Sequence, residues 1–554
     1  LRSPFESAKF TIDNIPQFLE DNPGIIDVLT ADDVPGKNHF GVIPGFSDQP
    51  IFAQNKTKFA GEAVAAVVGE PEAIRKFEPD SFPIQWVREP AVLEPAEATH
   101  SGAPVLHIER PNNILTEGYV ASGNAEEALL NSVHVIENQY KTPFIEHAYI
   151  EPEAGYAFRD GDRIIIQGCT QAPFMNKDSI ADILGLGSED VRIIPTGCGG
   201  GFGSKLDLSY QPYIALAAWK LNRPVGIVYS RHESMLTTTK RHPSEISIKV
   251  GCDENFKITA IDFHGVFNTG AYASWGPTVA NRVPVHASGP YQVANYLAKS
   301  RAVHTNNVPA GAFRGFGVPQ TAIALETSLS ELAQKAGADE LNFRLINALR
   351  NGTPTVTGQV FSSGVGITKC LEAVRPAWER AKKYSSQYNN ALGESIHKKG
   401  VGIATCWYGC GNTSIANPST IRIGIKQNGQ IILHQGATDI GQGSNTVITQ
   451  IVADAIQTDI NSIELIGPDT DLTPDAGKTS ASRQTFISGG AASLAGKALR
   501  EKILRHANVG ENARIKSGPT GLYIEDSGQY HQVDLCRLPL DEFGYVLIVQ
   551  ESYD

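Results

Sequence analysis

The chain has 554 residues, 41% of them hydrophobic and 19% charged, and a formal net charge of −12. Because a single hydrophobic core stops growing at about 250–300 residues, this length predicts several domains. The acidic balance excludes nucleic acid and anionic membranes as main partners, and no apolar run is long enough to span a bilayer.

The first hundred residues alternate short strand and helix patterns. Residues 24–30 (GIIDVLT) predict a strand, and residues 61–69 (GEAVAAVVG) predict a buried apolar segment. Residues 94–115 are rich in Pro, Ala and His, which is typical of a linker. We therefore expect an N-terminal α/β domain over residues 1–110.

Two further blocks follow, and both mix strand and helix patterns. The first predicts helices over residues 178–186 and 321–336, among alternating strands. The second carries a hairpin pattern over residues 419–434, built around an Asn-Gly turn. These patterns predict mixed α/β domains over residues 120–370 and 395–554.

Residues 196–205 (TGCGGGFGSK) form a glycine-rich loop between a predicted strand and a predicted helix. Glycines allow the backbone to approach a ligand closely and to aim N–H groups at an anion. The spacing fits neither common phosphate loop. Phe202 stands where the dinucleotide fingerprint needs glycine, and Ser204 stands where a Walker loop needs glycine.

Three other loops are rich in donors: residues 311–317 (GAFRGFG), 439–444 (DIGQGS) and 479–484 (TSASRQ). Each alone is typical of a structural turn. Together with the glycine-rich loop they predict one large anionic ligand that is bound from several sides.

In this order, GGGFG, AFRGFG, GQG and SRQ resemble the molybdenum-cofactor subunit of the xanthine dehydrogenase / aldehyde oxidoreductase family, the molybdenum hydroxylases. Residues 2–4 (RSP), 240–243 (KRHP) and 268–272 (NTGAY) resemble it as well. The resemblance covers nearly the whole chain. It implies an α/β fold with an N-terminal hammerhead-like domain and two large cofactor-binding domains, of which the last is truncated.

The resemblance implies a molybdenum–molybdopterin cofactor, in the cytosine dinucleotide form usual for bacterial members. Gln171 would hydrogen-bond a ligand of the metal, and Gly201, Phe202 and Gly203 would lie against its oxo face. Arg314 would lie beside the metal centre. The pterin and its phosphates would be held by Gly441, Gln442, Gly443, Ser482 and Gln484. Side-chain amides suit the donor and acceptor edges of a heterocycle.

The implied reaction is hydroxylation of a carbon with water as the oxygen source, assisted by a glutamate base. In the family that glutamate lies in a C-terminal Gly-Glu motif, which we expect outside this chain. Glu70 has a similar context but belongs to the N-terminal domain. Gln171 and Arg314 are therefore the catalytic residues expected here.

The cysteines bear on partners and location. Iron–sulfur clusters need closely spaced thiolates, whereas the seven cysteines are dispersed and include no CxxC pair. The implied [2Fe-2S] clusters and FAD are therefore expected on an iron–sulfur subunit and a flavin subunit. A second molybdopterin subunit that carries the C-terminal part is a further option. The cysteine usage favours a reducing compartment, the cytoplasm.

By resemblance, the substrate pocket would include Leu206, Arg282, Phe316 and Tyr408. Leu206 replaces a glutamate of purine-oxidising members and favours an aldehyde or a less polar ring. Arg282 favours a purine, and Phe316 suits a flat aromatic substrate. Hydroxylation of an N-heterocycle (purine or nicotinate-like) is slightly favoured over oxidation of an aldehyde to a carboxylic acid. A non-catalytic assembly subunit that has lost the base is the alternative of another class.

Overall fold

The computed structural model describes residues 1–393, 396–411, 416–518, 521–526 and 528–554. The expected start of the last domain, residue 395, lies outside the described residues. The chain forms two compact, discontinuous units. Unit 1 consists of Leu1–Glu89, His147–Thr239 and Gly409–Asp554, and unit 2 of Pro90–Glu146 and Lys240–Tyr408.

Both units mix strands and helices, so the expected α/β class is confirmed. In chain order, the strands are β1 Ala8–Ile12, β2 Ile25–Leu29, β3 His39–Phe40, β4 Gln49–Pro50, β5 Lys56–Thr57, β6 Ala66–Gly69, β7 Ile84–Arg88, β8 Ile114–Ser122, β9 His134–Thr142, β10 Ala154–Asp160, β11 Arg163–Gly168, β12 Val191–Pro195, β13 Val225–Val228, β14 Ser244–Cys252, β15 Ile258–Gly270, β16 Asn295–His304, β17 Ser419–Ile425, β18 Ile431–Gln435, β19 Ile463–Ile466, β20 Arg514–Gly518, β21 Gly521–Asp526, β22 Gln529–Gln532 and β23 Leu547–Tyr553.

In chain order, the helices are α1 Ile15–Asp21, α2 Pro71–Lys76, α3 Pro95–Ala98, α4 Ala125–Leu130, α5 Pro173–Leu184, α6 Gln211–Leu221, α7 Arg231–Thr237, α8 Gly276–His286, α9 Val318–Ala336, α10 Glu340–Asn347, α11 Ile367–Leu392, α12 Ser444–Ile456 and α13 Gly489–Ala507. Within the described residues, no helix combines the length and hydropathy that crossing a bilayer requires.

Unit 1 is built on two four-stranded sheets, ordered β12-β11-β10-β13 and β19-β18-β17-β23. Strands β11 and β12 run parallel, and so do β18 and β19. Apolar residues of the first sheet pack against α5 and α6, and those of the second against α12 and α13. Several loops that follow these strands carry the predicted cofactor motifs.

The predicted hairpin is confirmed as β17 and β18, which pair antiparallel. Gly429 adopts a φ of 87° in the connecting turn, a conformation that glycine allows without strain. The predicted helix over residues 178–186 is α5, which begins earlier and ends at Leu184, because Gly185 adopts a left-handed conformation and caps it.

Unit 2 is built on one five-stranded sheet, ordered β8-β16-β15-β14-β9. Helix α9 packs against β9 and β14, whereas α8 packs against β8 and β16. The predicted helix over residues 321–336 is α9. It begins at Val318, because Gly317 supplies a left-handed N-cap and Pro319 suits the first turn.

The predicted linker over residues 94–115 is wrong, because this segment is packed into unit 2. Ala98 and Leu106 belong to a buried apolar cluster with Val303 of β16. The Asn113 side chain binds the Leu106 N–H and the Ala98 carbonyl, each at 2.9 Å. Side-chain hydrogen bonds thus fix a segment whose composition resembles a flexible connection.

Candidate functional site

The glycine-rich loop of unit 1 joins β12 to α6 and bends sharply at its apex. Gly200, Phe202 and Gly203 have φ values of 97°, 55° and 122°. Such values are uncommon for a bulky residue such as phenylalanine, so the fold holds Phe202 in a costly conformation. Its ring is nonetheless 38% exposed. The loop therefore presents an aromatic ring rather than burying it.

Gln171 follows β11, and both ends of its side-chain amide make hydrogen bonds that hold the glycine-rich loop in place. Its Oε1 accepts from the Gly203 N–H at 3.0 Å, and its Nε2 donates to the Thr479 carbonyl at 2.7 Å. The Thr479 N–H returns a bond to the Gln171 carbonyl at 2.8 Å. A Cβ at Gly201 would lie 2.4 Å from Gln171 Oε1, so position 201 requires glycine while this network stands.

Thr479 joins the Gln171 network to two further loops of unit 1. Its hydroxyl donates to the Thr438 carbonyl at 2.7 Å and accepts from Gln484 Nε2 at 3.0 Å. Gln442 Nε2 reaches the same Thr438 carbonyl at 3.4 Å. Three glutamines predicted from separate motifs are thus brought into one hydrogen-bonded group.

In the GQG loop, the backbone N–H groups that were expected to bind the cofactor bind a side chain of the loop itself. The Asp439 carboxylate accepts from the N–H groups of Gly441 and Gly443, at 2.9 and 3.2 Å. Those two donors are therefore engaged within the loop. A Cβ on either glycine would meet no atom within 4 Å, but φ values of 102° and 83° favour glycine there. The Gln442 side chain is exposed, but its amide also binds within the loop. Its Oε1 accepts from the Ile440 N–H at 2.7 Å, and its Nε2 donates to the Ser444 hydroxyl at 3.1 Å. Open space remains beside the two glycines.

The SRQ motif divides between structural and exposed residues. Arg483 is 1% exposed, and its guanidinium donates to the carbonyls of Asn417 and Pro418, both at 2.7 Å. Ser482 is exposed, and its carbonyl accepts from the Cys410 thiol at 3.0 Å. Of this motif, only Gln484 joins the glutamine group.

A partly buried ion pair joins the two ends of the glycine-rich loop. Lys205 Nζ lies 2.7 Å from Glu151 Oε2, and the same oxygen accepts from the Gly199 N–H at 2.8 Å. Burial opposes the charge of the Lys205 ammonium, but the Cys169 and Cys198 side chains, where they form thiolates, and the Glu151 carboxylate raise its pKa. Because burial raises the pKa of Cys198 to about 12, that thiol is protonated at neutral pH, and Glu151 is the effective counter-charge.

In unit 2, the AFRGFG loop precedes α9. Phe316 has a φ of 50°, so a second predicted aromatic is held in an uncommon conformation. Arg314 is exposed, and its carbonyl accepts from Arg241 Nη2 at 2.9 Å. The Arg241 guanidinium lies 3.9 Å from the centroid of the Phe313 ring.

Three of the predicted substrate residues lie together in unit 2. The Arg282 guanidinium is 5.5 Å from the Phe316 ring centroid and 5.0 Å from that of Tyr408. Trp275 meets Phe316 edge to face at 5.9 Å. The fourth, Leu206, belongs to unit 1, where it is 2% exposed in a 3-10 turn.

His286 adds a polar group to this aromatic cluster. It lies 5.5 Å from the Trp407 ring and 6.0 Å from the Tyr408 ring, centroid to centroid. Its Nδ1 is 3.0 Å from the Arg282 carbonyl, one helical turn earlier in α8. Burial lowers the pKa of His286 to about 4, so its ring is neutral at neutral pH.

Glu70 is exposed at the N-terminus of α2 and pairs with Arg223 at 3.2 Å.

The donor set of unit 1 fits a pterin. Gln442 and Gln484 carry amides that can match a heterocycle edge when they exchange their present bonds. Those bonds join Gln442 to the Ile440 N–H and the Ser444 hydroxyl, and Gln484 to the Thr479 and Ser488 hydroxyls. Gln171 fixes the glycine-rich loop beside them. The Thr438 hydroxyl is buried and has no hydrogen-bond partner among the described residues, so it retains a donor and an acceptor within this group. Glycines at positions 441 and 443 keep side chains out of the adjoining space.

The sequence indicates these loops but not the residues that connect them. Thr479 lay within the SRQ segment, yet nothing local marks it as the meeting point of three loops. Asp439 had a usable signal, since an aspartate two residues before a glycine often accepts from that glycine's N–H. Arg241 lies in the KRHP segment, which resembles the family, but that resemblance implies no role for it, and nothing local marks Glu151 as a partner of the glycine-rich loop.

Known proteins match along most of the chain. Family models for the molybdopterin cofactor-binding domain match residues 106–348 and 371–534. The large molybdopterin subunit of nicotinate dehydrogenase from Eubacterium barkeri is 35% identical over 353 residues, which cover 64% of this chain and 82% of that protein. A probable xanthine dehydrogenase component from Bacillus subtilis (strain 168) is 32% identical over 467 residues, which cover 84% of this chain and 61% of that protein.

Solved structures share the fold. Aldehyde oxidoreductase from Desulfovibrio gigas superposes with a TM-score of 0.88 at 24% identity, over 100% of this chain and 59% of that one. Quinoline 2-oxidoreductase from Pseudomonas putida 86 gives 0.87 at 22% identity, over 100% and 74%. The chain thus spans less than two thirds of the Bacillus relative and of the Desulfovibrio structure. The family models and the nicotinate dehydrogenase relative show that the chain belongs to the molybdenum hydroxylases, molybdopterin-dependent oxidoreductases of the xanthine dehydrogenase and aldehyde oxidoreductase type, as a molybdenum-cofactor-binding subunit.

Proposed function

We propose that the chain takes part in the oxidative hydroxylation of an N-heterocycle, of the purine or nicotinate class, with water as the oxygen donor. The observation that carries this proposal is Arg282 beside the rings of Phe316 and Tyr408. Aromatic faces suit a planar ring, and a guanidinium suits its hydrogen-bond acceptors. The names of two relatives, a nicotinate dehydrogenase and a xanthine dehydrogenase, support the same class.

The cofactor proposed is molybdenum–molybdopterin in the cytosine dinucleotide form. When bound, this group supplies the two-electron chemistry of the hydroxylation. The residues proposed to hold it are Gln171, Gly201, Phe202, Gly203, Arg314, Gly441, Gln442, Gly443, Ser482 and Gln484. The glutamine amides would orient the pterin, and Gln171 would keep the glycine-rich loop in its observed conformation.

On the substrate side, this chain binds and orients. The Arg282 guanidinium can donate to a ring nitrogen or an exocyclic oxygen. Burial raises the pKa of Tyr408, although Arg282 opposes that shift, so the phenol keeps its proton as a second donor. Phe316 offers a face on which a flat ring can stack.

The electron acceptors proposed are [2Fe-2S] clusters and FAD on partner chains, an iron–sulfur subunit and a flavin subunit. This chain's cysteines are not spaced to bind a cluster. A second molybdopterin subunit that carries the base glutamate would complete the site. We propose a cytoplasmic location, in agreement with the four exposed free thiols of Cys370, Cys406, Cys410 and Cys536.

A second candidate function is the oxidation of aldehydes to carboxylic acids on the same cofactor. Leu206 favours it, because an apolar side chain at this position offers no hydrogen bond to a purine. A pocket without that bond discriminates less sharply among ring substrates.

A substrate panel tests the proposed function. The purified complex is assayed with purines, pyridine carboxylates and aldehydes, in water enriched in oxygen-18, with an artificial electron acceptor. We expect kcat/KM for the preferred N-heterocycle to exceed that for any aldehyde by about tenfold or more, with the label in the product. An aldehyde preference would select the second candidate. A folded complex that lacks molybdenum and turns over nothing would support the assembly subunit.

A further inference from the structure

Arg241 is a half-buried arginine that lacks a counter-charge among the described residues. It follows the buried Lys240 and contacts the AFRGFG loop of unit 2. Its Nη1 is buried and makes no hydrogen bond to any described residue, and none of the described carboxylates contributes to its titration. Burying part of a cationic group without a counter-charge is costly, so the arrangement points to a ligand that supplies the negative charge.

The two sequence neighbours of Arg241 show how unusual this arrangement is. Lys240 has its counter-ion, since its Nζ lies 2.6 Å from Glu146 Oε2. His242 is 2% exposed, and burial, followed by the Arg241 charge, lowers its pKa to about 3, so it is neutral. Burial, followed by the Arg314 charge, lowers the pKa of Arg241 to about 10, which leaves it cationic at neutral pH.

The contacts of Arg241 fix the direction of its guanidinium. One Nη2 hydrogen is engaged by the Arg314 carbonyl at 2.9 Å, and the plane is held 3.9 Å from the Phe313 ring centroid. The N–H groups of Nη1 bind no described residue, so they can donate to a ligand. Because a guanidinium presents parallel N–H groups, such an edge matches two oxygens of a carboxylate or a phosphate.

We propose that Arg241 is an oxyanion-binding residue, with Arg314 adding to the positive potential. The inference rests on the proposed function, within which the oxyanion has two sources, a phosphate of the pterin cofactor or the carboxylate of a substrate. Arginine suits this role better than lysine, because lysine offers a point charge rather than a planar fork.

The test uses the purified complex with Arg241→Gln, Arg241→Lys and, as a matched control, Arg223→Gln, which removes an exposed arginine paired with Glu70. Molybdenum, pterin and organic phosphate are measured per folded chain. The affinities for inorganic phosphate and for benzoate are measured by calorimetry. If the cofactor phosphate is the ligand, Arg241→Gln contains about tenfold less cofactor per folded chain than wild type, and Arg241→Lys is intermediate.

If a substrate carboxylate is the ligand, Arg241→Gln keeps its cofactor but binds benzoate about tenfold more weakly. Retention of both cofactor and anion binding in Arg241→Gln would overturn the proposal. If Arg241→Gln does not fold, as judged by circular dichroism, Arg241→Lys decides, since it keeps the charge but loses the fork. A wild-type complex without molybdenum or pterin would defeat the proposed function alone, because the anion titrations would still decide the role of Arg241.

Discussion

At the scale of single residues, Arg282 should select the substrate. Arg282→Met keeps most of the apolar stem between Phe316 and Tyr408 but removes the donors. We expect kcat/KM for the N-heterocycle to fall about tenfold or more, because a hydrogen bond to a charged donor is lost. The kcat/KM for aldehydes should change less than about threefold, since aldehydes need no such hydrogen bond. Steady-state kinetics on both substrate classes measures the difference.

The matched control is Arg301→Met, which removes an exposed arginine of the same unit that pairs with Glu117 at 2.8 Å. It should leave both substrate classes unaffected. Equal losses for heterocycles and aldehydes in Arg282→Met would show that Arg282 supports the fold of the pocket rather than the choice of ring.

His242 should make the stability of the protein depend on pH. Burial, followed by the Arg241 charge, lowers its pKa from 6.5 to about 3 in the folded state. Between those values the unfolded chain binds the extra proton, so the free energy of unfolding falls as the pH falls below 6.5. The loss is at most about 1.4 kcal/mol per pH unit, and this group contributes no pH dependence above 6.5.

His242→Gln removes the titrating group. Its melting temperature should fall less steeply than that of wild type between pH 6.5 and pH 4, whatever its value at neutral pH. If the melting temperature of His242→Gln fell as steeply as that of wild type over this pH range, His242 would not be a source of the pH dependence. His286, whose pKa burial lowers to about 4, titrates in the same direction and accounts for part of the slope that remains.

At the scale of elements, the Lys205–Glu151 pair should hold the glycine-rich loop. Lys205 carries the loop's C-terminal end, and Glu151 also binds the Gly199 N–H at its N-terminal end. Lys205→Met should lower the free energy of unfolding by about 2 kcal/mol, because it strands a carboxylate that is only 29% exposed. It should also lower the molybdenum content per folded chain. Thermal melts and metal analysis measure the two effects.

Lys220→Met is the matched control, because Lys220 is 40% exposed and pairs with Asp27 and Asp33. Lys220→Met should lower the free energy of unfolding by less than about 1 kcal/mol. The double variant Lys205→Met with Glu151→Gln should cost less than the sum of the two single changes, since each single change leaves its partner unpaired. Additive losses, with molybdenum retained, would mean that the pair does not hold the loop.

The same elements show how far sequence reasoning reaches. The β17–β18 hairpin was predictable, since an Asn-Gly turn between apolar runs is a local signal. Gln171 and Thr479, which exchange hydrogen bonds, lie 308 positions apart, and no local pattern links them. The resemblance placed Gln171, Gln442 and Gln484 in one predicted site. Their connection through Thr479, and the engagement of the GQG backbone by Asp439, depend on tertiary contacts that only the fold supplies.

At the scale of the whole molecule, unit 1 contains the glutamine group and unit 2 contains the Arg282 cluster. Thermal unfolding is therefore not expected to follow a single two-state transition, and the predicted stability changes apply to the transition of the unit concerned. Variants at Lys205 should shift the transition of unit 1, and variants at His242 that of unit 2.

The central claim is that this chain holds a molybdopterin cofactor on the glutamine group of unit 1. The most direct measurement is the molybdenum and released pterin per folded chain in the purified complex, for wild type and for Gln442→Ala. Wild type should contain close to one molybdenum and one pterin per chain, and Gln442→Ala should contain clearly less of both at an unchanged melting temperature, because its side chain is exposed. A folded, fully assembled wild-type complex with neither molybdenum nor pterin would contradict the claim.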